Sequence, residues 1–348
     1  ELWEGPRAGV EGAKTLTGVD TTGFIDDFQI FFENFVGKFN KNNLHIYYDV
    51  SNLNSVNIKP SYKNLLSNRG DFTIVSPLKF VHELRWRKSP AEIKLLRKSC
   101  DIAARGFVET MRFCYADVDE NHLSGKFDFE CKINGAKGLA YPPVVAGGNR
   151  ANTIHYLNAD QLIRENELVL MDAGCDFGGY SSDITRCWPV SGKFNAAQKE
   201  VYEVLLKVQV DLIQYLENTR PVSLRDFYTT MIDLLTIGLS ELGLFTNESL
   251  DARRCLADSF CPHHVSHYLG LDVHDTETVS KTRPLESGVV VTVEPGLYFN
   301  NNDKRIPEKF RGIGLRIEDD ILITESGVEV LSARTPKDVA TIEEIMKL

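Results

Sequence analysis

The chain has 348 residues, of which 43% are hydrophobic and 25% charged, and its formal net charge is −10 at pH 7. The length allows two domains with a sizeable core, and the composition is that of an ordinary globular protein. The negative charge, without a long cluster of lysine and arginine, argues against a nucleic-acid partner. The lack of any apolar run near the ~18 residues of a membrane helix argues against a membrane span.

Seven cysteines are spread along the chain without a CxxC pair. This pattern predicts reduced thiols in an intracellular compartment and argues against a disulfide framework or a structural zinc ribbon. The sequence begins at Glu1 without a methionine. We therefore expect a processed or truncated product, in which the lack of a visible targeting peptide says little about the native compartment.

Residues 1–85 are predicted to form a small α/β unit. Phenylalanines recur at helical spacing after Gly23, at Phe24, Phe28, Phe31, Phe32, Phe35 and Phe39. Short strand-like runs follow at residues 44–48 and 72–75. The unit is small for a complete α/β domain, so we expect its first strands to be missing.

A helix–helix–strand order occurs twice after residue 85. Ser89, Pro90 and Glu92 combine a capping box with a proline at the first helical position, which predicts a helix start; a second helix is predicted near residues 122–133. The same order begins again at Asn195, with another helix from Ser223. Strand-rich sequence follows each pair of helices, at residues 168–190, 289–298 and 315–323. The repetition predicts an internal duplication with a site between its halves.

Residues 168–190 are predicted to contain a β-hairpin. Its first strand is the apolar run at 168–171, and turn-forming residues at 176–179 precede a second strand-like run. With the turn centred between Phe177 and Gly178, Asp172 and Asp183 should face each other with Cβ atoms about 5 Å apart. Two such carboxylates need a cation or a proton between them. The hairpin alone is equally compatible with a turn aspartate and a solvated one.

Three further stretches place acids or histidines inside apolar sequence. They are HHVSHYLGLDVHD at 263–275, VVVTVEPGLY at 289–298 and RIEDD at 316–320. Taken singly, each is compatible with a core histidine, a strand end or a solvated acidic turn. Taken together, two aspartates, two glutamates and one histidine suit two divalent ions bridged by carboxylates. Such a pair lowers the pKa of a shared water and stabilises an oxyanion, which predicts a hydrolytic centre.

These residues together resemble the pita-bread metallopeptidases, specifically aminopeptidase P. LMDAG at 170–174, SSDITR at 181–186 and the three stretches above carry the resemblance, which covers about residues 86–348. YPPVVAGGNR at 141–150 and KFRGIGLRIEDD at 309–320 are most similar to the mitochondrial branch. The resemblance implies an α+β fold, with a pita-bread catalytic domain of duplicated helix-helix-strand units at residues 86–348. A partial α/β N-terminal domain at residues 1–85 would precede it.

The resemblance also implies a metal centre. Asp172 would bind one ion, Asp183 and Glu318 would bridge both ions, and His267 and Glu294 would hold the other, with Glu294 also taking part in catalysis. The implied cofactor is two divalent metal ions, Mn²⁺ first, with Co²⁺ and Zn²⁺ as alternatives.

Five residues are implied to act on the substrate. His263 and His274 would line the substrate carbonyl as catalytic groups, while His155 and Tyr141 would contact the peptide. Arg316 would orient a bridging carboxylate and border the substrate.

The implied activity is removal of the residue before proline at a peptide N-terminus, by a hydroxide that bridges the two ions. This bond lacks the amide N–H that ordinary peptidases grip, so a dedicated pocket must hold the pyrrolidine ring. Prolidase, which accepts dipeptides only, is the nearest alternative because it shares the five ligands. Methionine aminopeptidase fits the YPPVVAGGNR and DVHD segments less well. A pita-bread binding module without catalysis is the alternative from another class.

The resemblance implies partners and a compartment as well. The partners would be proline-containing peptides and a second copy of the chain in a homodimer, with neither nucleic acid nor a membrane. The compartment would be the mitochondrion, with the cytoplasm as the alternative.

Overall fold

The computed structural model describes residues 2–3, 5–39, 44–49 and 72–347. The chain divides into two compact units, Glu1–Val81 and His82–Leu348. Within the described ranges, every helix is too short or too polar to cross a membrane.

Among its described residues before Leu78, the first unit has two α-helices and a short parallel strand pair. The helices are α1 (Gly9–Thr17) and α2 (Phe28–Val36), and the strands are β1 (His45–Tyr47) and β2 (Thr73–Val75). The helix predicted from the phenylalanine repeat and both predicted strands are therefore confirmed. The repeat does not mark a buried face, because the side chains of Phe24, Phe31, Phe35 and Phe39 are all exposed.

Three helices of the second unit begin where the capping signals predict. The division between the units falls within α3 (Leu78–Trp86); the later helices are α4 (Pro90–Phe113), α5 (Glu120–Ile133), α6 (Ala196–Asn218), α7 (Leu224–Glu241), α8 (Leu250–Phe260) and α9 (Val339–Ile345). Ser89, Asn195 and Ser223 each form a capping box with the residue three positions on. The predicted starts of α4, α6 and α7 are therefore confirmed.

Short strands follow each pair of long helices. Those after α4 and α5 are β4 (Gly138–Leu139), β5 (Val144–Gly147), β6 (Leu162–Ile163), β7 (Leu168–Ala173), β8 (Cys175–Phe177), β9 (Tyr180–Ser181) and β10 (Ile184–Pro189), while β3 (Val118–Asp119) lies between these helices. Those after α7 and α8 are β11 (Val290–Val293), β12 (Gly296–Phe299), β13 (Ile313–Arg316), β14 (Asp319–Ile323) and β15 (Val328–Val330). The described residues thus show helices followed by strands twice, as predicted, but the second set contains a third helix, α8, that was not predicted.

The predicted register of the β7–β10 hairpin is wrong by two residues. Asp172 pairs with Thr185, and the turn centre falls between Gly178 and Gly179. Both glycines have positive φ, 64° and 86°, as a two-residue hairpin turn requires at its two central positions. Asp183 is therefore a diagonal neighbour of Asp172 and not its direct partner. A shift of two residues keeps the same face, so the two side chains still approach each other.

Each of the two strand-like runs in the second half is broken into two strands that change partner. Strand β11 pairs with β14, whereas β12 pairs with β13, and all these pairs are antiparallel. Glu294 lies in the break between β11 and β12, and Glu318 lies in the break between β13 and β14. The backbone N–H of Glu318 donates to the carbonyl of Thr185 on β10, at 3.1 Å. Both glutamates therefore lie where separate sheets meet.

Candidate active site

Two aspartates meet at the hydroxyl of Tyr141. The hydroxyl oxygen lies 2.6 Å from Asp172 Oδ1 and 2.5 Å from Asp183 Oδ1. One phenolic proton can be donated to only one carboxylate at a time. Burial raises the pKa of Asp172, Arg316 opposes that shift, and the charge of Asp183 adds to it. The pair therefore lies in a setting that favours additional positive charge.

His267 extends this cluster towards a third carboxylate. Its Nε2 lies 3.2 Å from Asp183 Oδ2 and 3.6 Å from Glu294 Oε1, while its Nδ1 lies 3.1 Å from the carbonyl of Tyr268. An Nδ1–H that donates to this carbonyl leaves the Nε2 lone pair of a neutral ring facing the carboxylates. Burial lowers the pKa of His267, but Asp183 and Glu294 outweigh it and raise the value to about 9. The two carboxylates thus favour a positive charge on the imidazole ring or next to it.

Arg316 and Thr185 connect the remaining carboxylate to the aspartates. Thr185 Oγ1 donates to Glu318 Oε2 at 2.5 Å and accepts from Arg316 Nε at 3.1 Å. Arg316 Nη2 donates to Asp172 Oδ2 at 2.6 Å. The guanidinium therefore lies directly on Asp172, the carboxylate expected to serve one ion, and reaches Glu318 only through Thr185. Burial, followed by the charges of Asp183 and Glu294, raises the pKa of Glu318 well above its usual range.

The donor set fits a divalent cation. One ligand atom from each of Asp183, His267 and Glu318 lies within 4.8 Å of the others. Asp172 is connected to this group by the Tyr141 hydroxyl, which contacts both aspartates. Glu294 is connected to it by its contact with His267 Nε2. Four carboxylates thus surround one imidazole, and only Asp172 among them is hydrogen-bonded to the Arg316 guanidinium. Carboxylate oxygens with one imidazole are ligands that manganese, cobalt and zinc accept.

A cavity of about 470 Å³ opens beside His267 and Glu294. Five of the eight histidines line it, namely His155, His263, His264, His267 and His274. The ring of His274 packs edge-on against that of His267, with centroids 4.5 Å apart. Tyr141 and Arg316 are not among the described residues that line the cavity, so they meet the carboxylates from another side.

The two histidines expected at the substrate carbonyl differ in their hydrogen bonds. His263 Nδ1 lies 3.0 Å from the carbonyl of His264, and its Nε2 lies 2.9 Å from the hydroxyl of Tyr298. Burial, with Arg316 nearby, lowers the pKa of His263 to about 4. Burial also lowers the pKa of His274. Both rings are therefore neutral near pH 7, and each has a single N–H to donate.

Three residues of this site were missed by the sequence prediction, although each lies in a segment that the prediction used. Tyr298 accepts from Arg316 Nη1 at 2.7 Å, and Thr185 links Arg316 to Glu318. Asp320 accepts from the backbone N–H of Asp183 at 3.0 Å. Their positions at the ends of VEPGLY, SSDITR and LRIEDD were the available signal.

The chain is similar to known peptidases over almost its whole length. Residues 94–325 match the family described as metallopeptidase family M24. The chain is 42% identical over 348 residues to Xaa-Pro aminopeptidase 3 of Mus musculus, covering 99% of this chain and 67% of that protein. It is 38% identical over 347 residues to the mitochondrial intermediate cleaving peptidase 55 of Arabidopsis thaliana, again covering 99% and 67%.

Two solved structures extend this similarity to the fold. Icp55 from Saccharomyces cerevisiae aligns with a TM-score of 0.87 and 32% identity, covering 99% of this chain and 78% of that one. A variant of Escherichia coli aminopeptidase P in complex with substrate aligns with a TM-score of 0.87 and 32% identity, covering 100% and 80%. These alignments confirm the predicted α+β fold with its pita-bread domain.

Proposed function

The chain belongs to metallopeptidase family M24, and from that membership we propose that it is a dinuclear-metal aminopeptidase that hydrolyses the N-terminal Xaa-Pro bond of peptides. The observation that carries the proposal is the buried convergence of Asp183, His267 and Glu318 beside a histidine-lined cavity. The similarity to proteins named Xaa-Pro aminopeptidase supports the choice of substrate.

Five side chains are proposed to hold the two ions. Asp172 would bind one ion, Asp183 and Glu318 would bridge the two, and His267 and Glu294 would bind the other. Manganese is our first candidate, with cobalt and zinc as alternatives. When bound, the ions would lower the pKa of water and offset the negative charge that develops on the substrate carbonyl oxygen.

The protein's own groups prepare and complete this chemistry. Arg316 holds Asp172 in place, and Thr185 holds Glu318. Glu294 is proposed to take a proton from the attacking water and pass it to the leaving nitrogen. His274 is the better-placed donor to the substrate carbonyl, because its imidazole makes no hydrogen bond to any described residue. The Nε2 atom of His263 lies within hydrogen-bond distance of the Tyr298 hydroxyl, so this hydrogen bond would have to break before His263 could donate from Nε2 to the substrate.

The cavity supports a peptide that continues beyond proline. Its charged lining residues outside the proposed centre include Lys281 and Glu277, whose side chains form no ion pair with any described residue. Among the described lining residues there is no arginine that could clamp the carboxylate of an Xaa-Pro dipeptide with two parallel hydrogen bonds. We therefore favour an aminopeptidase over a prolidase.

A substrate-length assay tests the proposal. Manganese-loaded enzyme is incubated with Xaa-Pro and with Xaa-Pro-Xaa-Xaa, and the released free amino acid is measured. We expect the tetrapeptide to be cleaved at least as fast as the dipeptide, with only the first residue released. Rapid cleavage of the dipeptide alone would assign the chain as a prolidase. Absence of both turnover and stoichiometric metal would indicate a binding module instead.

A mitochondrial location and a homodimer complete the proposal. The location is supported by the relative from Arabidopsis thaliana whose name includes the word mitochondrial. Cell fractionation of the full-length protein would distinguish the mitochondrion from the cytoplasm. Light scattering of the purified protein would test for the mass of two chains.

A further inference from the structure

A lysine and an aspartate are buried together at the wall of the active-site cavity, which Asp275 lines. Lys88 Nζ lies 3.2 Å from Asp275 Oδ2, and each side chain is 1% exposed. Arg85 also contacts Asp275, and it reaches Asp272 at 2.6 Å. Fully buried lysines are rare because removing the ammonium from water is costly. A buried ion pair is seldom more stable than well-packed apolar residues of the same size, so stability alone does not account for it.

The pair holds the segment that carries His274. Asp275 follows His274 directly, and its backbone N–H donates to the carbonyl of Tyr268 at 2.9 Å. A Cβ added at Gly270 would lie 2.3 Å from Asp275 Oδ2, so the segment packs tightly around this carboxylate. The next residue, Thr276, has a φ of 49°, which β-branched residues rarely adopt. The backbone after His274 is thus held in a strained conformation beside a buried charge.

The His274 ring has few restraints of its own. It lines the cavity and packs against His267, and it makes no hydrogen bond to any described residue. Its position is therefore set by the backbone on either side, which the buried pair holds through the side chain of Asp275. We propose that Lys88 and Asp275 are positioning residues that hold His274 towards the substrate carbonyl. This inference rests on the proposed function, in which His274 donates to that carbonyl.

Two variants separate positioning from stability. Lys88→Met removes one charge, and the double variant Lys88→Met/Asp275→Leu replaces the pair by apolar side chains while Arg85 keeps Asp272. The double variant should stay folded because such replacements are often neutral. We expect both variants to keep two ions per chain and a KM within twofold of wild type. Their kcat should fall about 10- to 100-fold, as when a catalytic group loses its support.

A matched control is Lys126→Met. Lys126 also pairs with a largely buried carboxylate, Glu130, at 2.6 Å, and neither residue lines the cavity. We expect its kcat to equal that of wild type. An equal loss in this control would mean that removing any such lysine impairs the enzyme, and would overturn the inference.

Coupling to His274 provides the decisive measurement. If Lys88 acts through His274, then Lys88→Met should cause no further loss of kcat in a His274→Ala background. A further tenfold loss in that background would overturn the inference, as would wild-type kcat in the Lys88→Met/Asp275→Leu variant. Failure of the proposed function would appear separately, as a wild-type enzyme that binds no metal or leaves proline-second peptides intact.

Discussion

Replacing Asp183 by asparagine should remove metal from the site without unfolding the protein. The side chain is 7% exposed, and its two oxygens contact the Tyr141 hydroxyl and His267 Nε2. Its backbone N–H donates to Asp320, a contact that asparagine retains. The substitution therefore changes the charge of one carboxylate and almost nothing of its shape.

The size of the effect follows from the charge balance. With metal bound, Asp172, Asp183, Glu294 and Glu318 would be ionised and would together carry four negative charges against the single positive charge of Arg316. One pair of unit charges 4 Å apart is worth about 4 kcal/mol at an effective dielectric constant of about 20. That energy corresponds to about a thousandfold in a dissociation constant. The proposed ions are divalent, so the Coulomb energy between one ion and a unit charge at the same distance is about twice this figure.

The expected result is fewer than two ions per chain and a turnover at least about 100-fold below wild type. Elemental analysis of the purified variant measures the ions, and cleavage of a proline-second tetrapeptide measures turnover. Circular dichroism should show an unchanged fold. Asp251→Asn is the control, because it removes the same charge from an exposed residue at the start of α8. Two ions per chain with near-native turnover would refute the assignment of Asp183 as a bridge.

Three further predictions concern other titratable groups. His274→Ala and His263→Ala should each keep both ions yet lose about 10²–10³ in kcat, and a metal-depleted variant would contradict its assigned role. Lys281→Met should raise KM about two- to fivefold for tetrapeptides with an acidic third residue and leave neutral ones unchanged; equal KM changes would contradict this. Burial raises the pKa of Asp319, but the charges of Arg186, at 2.7 Å, and Lys337 outweigh burial and lower the pKa to about 2. The ionised carboxylate therefore stabilises the fold fully above about pH 4, and this stabilisation is lost as the pH falls towards 2. Asp319→Asn should therefore lower the free energy of unfolding by about 3–5 kcal/mol at pH 7, with a smaller difference near pH 2 in urea titrations; a difference independent of pH would contradict the pKa assignment.

Local signals in the sequence predicted the helices well. The starts of α4, α6 and α7 depend on a side chain and a backbone N–H only three residues apart, so a short stretch of sequence contains the whole interaction. The hairpin was predicted less well, although its glycines were recognised as a turn. The prediction centred the turn on Phe177 and Gly178, whereas the backbone requires positive φ at both Gly178 and Gly179.

Contacts across the site could not be predicted because they depend on how the sheets meet. Thr185 and Tyr298 lie on different strands, β10 and β12, and both contact Arg316 on β13. Hydrophobic periodicity indicates which face of a strand is buried, but it contains no information on which strand lies opposite. The sequence therefore predicted the candidate ligands and Arg316 but missed Thr185 and Tyr298, which contact Arg316.

The strand breaks explain why buried acids collect at this one place. A carboxylate in the middle of a buried strand would project into an apolar layer and remain without a partner. Glu294 and Glu318 instead follow the last residues of β11 and β13, where the chain leaves one sheet and enters another. At such a junction, groups from neighbouring strands can reach the carboxylate, as Thr185 reaches Glu318 and His267 approaches Glu294. The arrangement gathers more carboxylates than Arg316 can pair with, and the two divalent cations of the proposed function would compensate their charge.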